Sequence, residues 1–180
     1  MNEILIESIR RRAADPGRRT DHSDVIATTV APAASNSQLS DAEQAIGFEL
    51  PEVLKSVFQS VGNGGFGPGY GLMGTDGGAT DDTGATFVSM YKLFTAENSE
   101  QSDEPNWDWP KGLVPICHWG CAIYSCVDLQ NGASMAVWDP NGREPGSSPR
   151  TAIRYLDRDL TSWLDAWTKD VDLWSEMYPE

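Results

Sequence analysis

The stretch LPEVLKSVFQSVGNGG, residues 50–65, joins a proline start, an amphipathic run and a glycine-rich end. Pro51 has a fixed φ and no N–H donor, which suits the first turn of a helix. The apolar residues that follow have the spacing of one helical face: Val53, Leu54, Val57, Phe58 and Val61. Because Asn63-Gly64-Gly65 disfavours continuation of a helix, the stretch predicts a helix that ends in a glycine turn.

The residues before this stretch predict a second, shorter helix. Ser40 is a candidate N-cap, and Glu43 follows it at the spacing of a capping box. We expect this helix to cover residues 41–46 and to end at Gly47 in the left-handed conformation.

A glycine-rich loop follows the predicted helix. Nine of the seventeen residues in 62–78 are glycine. Residues 62–67 also spell G-x-G-x-x-G, a pattern that binds pyrophosphate when it connects a strand to a helix. Here the pattern follows a helix and the chain lacks βαβ spacing, so we interpret it as a helix end with a compact loop.

The second half of the chain predicts strands and a closing helix. Strand-like composition occurs at residues 86–94, 113–118, 121–129 and 133–139, with a further extended piece at 151–155. Asn131-Gly132 is a preferred two-residue hairpin turn, so the strands on either side of it should pair antiparallel. Apolar residues at helical spacing from Leu160 to Trp174 predict one C-terminal helix. These elements predict an α+β fold.

The charge of the chain restricts its partners. The formal net charge is −14 over 180 residues, and such a surface repels phosphate backbones and anionic lipid headgroups. Nucleic acid and membranes are therefore disfavoured as ligands, whereas a cationic protein would be attracted. The length is that of one domain.

Cysteine usage and hydrophobic patterning predict a cytoplasmic protein. Cys117, Cys121 and Cys126 are odd in number and crowded into ten residues, unlike a disulfide framework. We find no signal-peptide pattern and no run of about 20 apolar residues. With His118 the three cysteines could suggest a zinc site, but the C-x-x-C spacing is missing, so buried core cysteines and no metal or cofactor are expected.

Catalytic patterns are weak. The histidines are His22 and His118, and neither has the context of a general base. Paired carboxylates such as Asp81-Asp82 are more typical of solvated surface. Trp107 and Trp109, in a proline-bounded polar loop, could be exposed binding anchors or could clamp the loop onto the sheet.

The helix pair and the Asn-Gly-Gly turn together resemble the SUKH superfamily, and the resemblance covers about residues 36–175. The later hairpin and the Trp-rich closing helix are similar to the rest of that fold. The resemblance implies a single α+β domain at 36–180 with a predominantly antiparallel sheet flanked by helices. Residues 1–35 fall outside it and are expected to form a partly helical or loosely ordered arm. The motif positions that carry over are Glu43, Leu50, Pro51, Asn63, Gly64 and Gly65.

The resemblance also implies a function. The superfamily includes fungal cell-wall-assembly regulators and bacterial immunity proteins against polymorphic toxins, and it offers no catalytic residues to transfer. Our leading hypothesis is an immunity protein that binds a cationic toxin domain, such as a nuclease, without catalysis. The alternatives are a regulator or scaffold for another client and, ranked last, an enzyme or small-ligand binder that uses the glycine loop. The expected partner-binding residues are Asp76, Asp81, Asp82, Glu97, Glu100, Asp103, Glu104, Trp107, Asp108 and Trp109.

Overall fold

The computed structural model describes residues 3–15, 29–96 and 106–178. The described helices are α1 (Glu3–Ala13), α2 (Asn36–Ile46), α3 (Glu52–Ser60), α4 (Phe87–Ala96), α5 (Leu160–Thr168) and α6 (Leu173–Met177). The strands are β1 (Leu113–His118), β2 (Tyr124–Asp128), β3 (Ser134–Trp138) and β4 (Ile153–Asp159). Short 3₁₀ turns occupy Pro140–Gly142 and Pro149–Ala152.

The four strands form one antiparallel sheet in the order β1-β2-β3-β4. The predicted hairpin between β2 and β3 is confirmed, with Cys126 opposite Ala136. The turn lies one residue later than predicted, because Gly132 and Ala133 carry the positive φ angles of 60° and 58°. Ser134 N closes it by donating to Asn131 O at 3.0 Å.

Helices cover both faces of the sheet, which confirms the predicted α+β class. On one face, the ring of Phe94 in α4 lies 6.0 Å from Tyr124 and 6.2 Å from Trp138, measured between centroids. On the other face α5 contacts β3 and β4, and Met177 of α6 approaches Ser125 with 3.8 Å between Oγ and Sδ. The core therefore has two layers, one on each side of the strands.

The capping box of α2 was predicted at the wrong serine. Ser35 is the N-cap, because its Oγ accepts from Gln38 N at 3.2 Å and its N–H donates to Gln38 Oε1 at 2.9 Å. The helix therefore begins five residues before the predicted start. Gly47 ends it with φ of 78°, as predicted.

The strand predicted at residues 86–94 is wrong, since this segment forms α4. Its aromatic and β-branched residues suggested a strand, yet the buried positions Phe87, Met90 and Tyr91 have helical spacing. Thr86 and Ser89 stabilise the helix start through reciprocal bonds from Ser89 N to Thr86 Oγ1 and from Thr86 N to Ser89 Oγ.

The single C-terminal helix that was predicted is interrupted. Asp170 has φ of 61°, and Val171 N donates to Ala166 O at 3.1 Å, so α5 ends here and α6 begins as a separate helix at Leu173. The extended piece predicted at 151–155 is partly right, since β4 begins at Ile153 and continues to Asp159.

Helix α1 lies within the first 35 residues and packs against α3 and α5. Its Leu5 and Ile9 belong to the core. The composition of residues 25–30 is compatible with a short strand or an extended packing segment, but most of these residues fall outside the described ranges. The domain boundary at residues 35 and 36 stays a prediction.

Candidate functional site

Asn63 of the Asn-Gly-Gly motif is a buried clamp for the glycine loop. Its Oδ1 accepts from Thr75 N at 2.8 Å, and its Nδ2 donates to Thr75 Oγ1 at 2.9 Å. Its carbonyl accepts from Ala79 N at 2.9 Å. One amide side chain and its peptide group therefore fix both ends of the loop.

Gly64 and Gly65 follow with φ of +84° each, a conformation that L side chains rarely adopt. A Cβ at Gly64 would lie 2.5 Å from Leu72 O, and one at Gly65 would lie 2.0 Å from Thr29 O. The glycines are therefore needed for close backbone packing, which agrees with the structural interpretation of the loop.

The glycine loop runs along the outer side of β1. Tyr70 N donates to His118 O and Met73 N donates to Ile116 O, both at 2.8 Å, while Leu72 forms an antiparallel bridge with Cys117. These bonds occupy the side of β1 that does not pair with β2. The loop therefore covers one edge of the sheet.

Glu43, Leu50 and Pro51 hold the start of α3. Glu43 Oε1 accepts from Leu50 N at 2.8 Å and lies 3.6 Å from Lys55 Nζ. Pro51 is the N-cap, and its carbonyl accepts from Leu54 N at 2.9 Å. These motif positions thus connect α2 to α3.

Asp81 is a buried loop anchor. Its Oδ1 accepts from Thr83 N, Thr83 Oγ1 and Ala85 N, and its Oδ2 accepts from Tyr124 Oη at 2.9 Å. Burial opposes its ionisation, but these hydrogen bonds outweigh burial and lower the pKa of Asp81. The residue is 8% exposed, so its carboxylate stabilises the loop and contributes little to the charged surface.

Asp76 and Asp82 lie on either side of this anchor and are exposed. Asp82 Oδ1 lies 3.6 Å from Nε2 of the buried His118. The His118 ring stands between Tyr70 and Tyr124, with centroids 5.0 and 5.1 Å away. Sequence reasoning missed this contact, because Asp82 and His118 are far apart in the chain.

The His118 imidazole lacks the partners of a catalytic base in the part of the chain that the structure describes. Its Nδ1 is buried without a hydrogen-bond partner. None of the described hydroxyl or thiol groups hydrogen-bonds to its ring nitrogens. The described residues therefore provide no activated nucleophile beside His118.

Trp107 and Trp109 clamp their loop onto the sheet. Trp109 is 1% exposed and donates Nε1–H to Leu113 O at 2.8 Å. Trp107 is half-buried, donates to Phe94 O at 2.7 Å and stacks on Trp109 with 6.2 Å between centroids. Trp109 is thus unavailable to a partner, whereas Trp107 keeps part of its surface.

Asp108, between the two tryptophans, points outward. It accepts from Ser148 Oγ and from Arg150 Nε, the latter at 2.7 Å. Burial raises the pKa of its carboxyl, but these two partners outweigh burial and lower the pKa overall. Both members of the ion pair are more than half exposed, so solvent weakens it.

An open groove of about 530 Å³, here called the Trp107 groove, adjoins this loop. Tyr155 donates Oη–H to Asp128 Oδ2 at 2.7 Å within it. Burial, followed by this bond, raises the pKa of Tyr155 to about 12. The groove is lined by Trp107, Asp108, Trp109, Pro110, Lys111, Asp128, Gln130, Arg150 and Tyr155.

The predicted binding residues are divided between two places. Asp81 and Asp82 lie near the Tyr124 end of β2, whereas Asp108 lines the Trp107 groove, which reaches Asp128 at the other end. The groove residues Asp128, Arg150 and Tyr155 were missed, because no local pattern joins them. Four predicted residues lie outside the described ranges: Glu97, Glu100, Asp103 and Glu104.

The cysteines only partly match their prediction. Cys117 and Cys126 are buried, whereas Cys121 is exposed. The exposure arises because Gly120, Cys121 and Ala122 all have positive φ and form the turn between β1 and β2. Among the described residues, no cluster of three His, Cys, Asp or Glu side chains could hold a metal.

None of the described helices has the length and apolar character needed to cross a membrane.

Comparison with known families finds a match over most of the chain. The model of the SMI1 / KNR4 family (SUKH-1) matches residues 33–166. No curated protein matches the chain. Helices α1 and α6 lie outside the matched segment, whereas the Asn-Gly-Gly motif, the whole sheet and the Trp107 groove lie inside it.

Proposed function

The chain belongs to the SMI1 / KNR4 family (SUKH-1), and we propose that it is an immunity protein that binds and neutralises a cognate cationic toxin domain. Membership of the family supports a role in protein interaction. Beyond that role, we propose that the partner is a toxin, that the toxin is positively charged, and that binding neutralises it without catalysis.

Exposed carboxylates on loops carry this proposal. Asp76, Asp82 and Asp108 present acidic groups from two loops of a chain whose formal net charge is −14. Hydrogen bonds of Asp81, Trp107 and Trp109 fix these loops to the rest of the fold. A partner would therefore bind loops that are already ordered, so little conformational entropy of these loops would be lost on binding.

Charge complementarity provides the mechanism. A positive patch on a toxin would be steered toward this surface and would associate faster than a neutral one. For a nuclease, the same positive patch would bind the phosphate backbone of its substrate. An immunity protein that covers this patch blocks activity by occupancy alone, so no catalytic residue is needed.

Co-expression tests the proposal. The product of the adjacent open reading frame is expressed in a sensitive host with and without this chain. We expect the chain to restore growth and to copurify with that product. The charge-reduced triple variant Asp76→Asn, Asp82→Asn, Asp108→Asn should restore growth less well at equal expression.

A matched control replaces three acids elsewhere, Glu3→Gln, Asp41→Asn and Glu49→Gln, which are also exposed. This control changes the net charge by the same amount but leaves the carboxylates of the acidic loops in place. It should therefore retain more protection than the loop variant. Failure of the wild-type chain to protect or to form a complex would reject the proposal. Recovery of a client unrelated to toxins from the native host would instead favour a regulatory role.

A further inference from the structure

The chain contains three Asn-Gly pairs, at residues 63–64, 131–132 and 141–142. Such a pair can react with itself: the glycine nitrogen attacks Cγ of the asparagine, and the asparagine Nδ2 leaves as ammonia with the proton from that nitrogen. Glycine has no Cβ to hinder the approach. Water then opens the resulting succinimide to aspartate or to isoaspartate, whose backbone passes through Cβ and Cγ. The reaction therefore needs a free glycine nitrogen and a free asparagine side chain.

In the first pair, both reacting groups are held. Asn63 is 1% exposed, and its side chain bonds to Thr75 through Oδ1 and Nδ2. Gly64 N donates to Gly62 O at 2.9 Å. The nitrogen cannot reach the side chain unless these buried hydrogen bonds break, which is costly. We therefore expect this pair to be inert in the folded chain.

The third pair is exposed but is also held. Asn141 Nδ2 donates to Asp139 Oδ1 at 2.9 Å, and Gly142 N donates to Asp139 O at 3.2 Å. Both bonds stabilise the short 3₁₀ turn at Pro140–Gly142. Because this turn must open before the nitrogen can attack, the pair should react slowly.

The middle pair is free at both reacting groups. Asn131 and Gly132 are exposed. In the part of the chain that the structure describes, no hydrogen bond involves the Asn131 side chain or the Gly132 N–H. A Cβ built on Gly132 would meet no atom within 4 Å. The nitrogen thus has open space in which to turn toward Cγ of Asn131.

Ser134 adds an activating contact to this pair. The attacking species is the Gly132 nitrogen after loss of its proton, and peptide resonance shares the negative charge with the carbonyl oxygen of Asn131. That oxygen accepts from Ser134 N at 3.0 Å and from Ser134 Oγ at 2.7 Å. Donors already directed at an atom where charge develops stabilise that charge. The turn therefore favours formation of the nucleophile.

From these observations we propose that Asn131 is a site of spontaneous deamidation, with Gly132 N as the nucleophile and Ser134 as the residue that stabilises its anion. Conversion adds a carboxylate beside Gln130, which lines the Trp107 groove. Isoaspartate also lengthens the backbone of the turn between β2 and β3. The reaction requires only water, so this proposal does not depend on a toxin partner.

Incubation of the full chain near neutral pH, followed by tryptic digestion and tandem mass spectrometry, measures conversion at each pair. Asn131 and Asn141 share the tryptic peptide 112–143, so fragment ions assign the added mass to one of them. We expect Asn131 to convert about tenfold faster than Asn63 and Asn141. In guanidinium chloride, which unfolds the chain, the difference should shrink to about threefold or less.

Ser134→Ala tests the activation, because this variant loses the hydroxyl donor and keeps the backbone N–H. Conversion of Asn131 should slow about threefold or more, whereas Ser134→Thr, which keeps a hydroxyl, should stay close to wild type. A hydroxyl that only held the turn in place would have the opposite effect, since its loss would loosen the turn and speed the reaction.

Three results would overturn the proposal. The first is that Asn131 converts no faster than Asn141 in the folded wild-type chain. The second is that its advantage persists in guanidinium chloride, a measurement that needs no variant to fold. The third is that Ser134→Ala converts as fast as wild type or faster.

Discussion

Among single residues, Asn63 makes the most varied set of bonds around the glycine loop. Its backbone N–H faces the carbonyls of Ala31 and Pro32, its carbonyl accepts from Ala79, and its side chain bonds to Thr75. It therefore joins the segment before α2, the end of α3 and the end of the loop. A buried polar residue with this many partners is costly to replace.

We predict that Asn63→Ala lowers the free energy of unfolding by about 2–4 kcal/mol, because the N–H and hydroxyl of Thr75 lose their buried partner. Urea denaturation monitored by tryptophan fluorescence measures this change. The control Asn131→Ala, at an exposed turn position, should cost about 0.5 kcal/mol or less. Equal costs for the two variants would contradict the clamp.

Asp81 predicts a pH dependence. Its pKa is lower in the folded chain than in the unfolded chain, where an aspartate titrates at about 3.9. The ionised carboxylate therefore contributes stability above that pH, and the contribution is lost as pH falls through the lower folded pKa. Asp81→Asn should remove this contribution.

Thermal unfolding from about pH 6 down to about pH 2.5 tests this expectation around the unfolded pKa. The difference in stability between wild type and Asp81→Asn should shrink as the pH falls. Asp76→Asn, which replaces an exposed carboxylate in the same loop, is the control. A difference that stays constant over the whole range would show that Asp81 is not the titrating group.

Among the elements, α1 extends the matched family segment. It lies before residue 33, where the family match begins, yet it packs against α3 and α5. Arg12 Nε lies 3.2 Å from Asp170 Oδ1, and its guanidinium lies 5.3 Å from the Trp167 ring centroid. These contacts attach α1 to α5 and to the turn that follows it.

We predict that Ile9→Ala destabilises the protein by about 2–5 kcal/mol, because this residue is fully buried and its removal leaves a cavity. Ile4→Ala in the same helix should have almost no effect, since Ile4 is 85% exposed. Urea denaturation of both variants measures the two effects. Equal effects would mean that α1 does not pack as described.

Local signals predicted the elements that depend on neighbouring residues. Pro51, the apolar spacing of α3 and the Gly47 end of α2 are such signals, and each was confirmed. The strand prediction for α4 failed because aromatic composition outweighed helical spacing, although Phe87, Met90 and Tyr91 carried that spacing.

The candidate site was less predictable, because tertiary contacts build it. The bond between Tyr155 and Asp128 spans 27 residues, and Arg150 reaches Asp108 across 42 residues. No periodicity relates such positions. Conversely, Trp109 and Asp81 were expected at a binding surface from their residue types, whereas the fold uses both internally.

At the scale of the whole molecule, the negative charge should govern association. A charge of −14 acts over roughly 10 Å at an ionic strength of 0.1 M and over less at higher salt. Neutral contacts such as the Trp107 surface would not respond to salt in this way. Rate constants therefore separate electrostatic steering from other sources of affinity.

The most direct test is the association rate constant of the purified chain with the product of the adjacent open reading frame, the proposed toxin, measured from about 50 to about 500 mM NaCl. We predict a rate that falls at least tenfold over this range and is lower at low salt for the Asp76, Asp82 and Asp108 triple variant. No binding, or a rate independent of salt and of these carboxylates, would contradict the proposed electrostatic neutralisation.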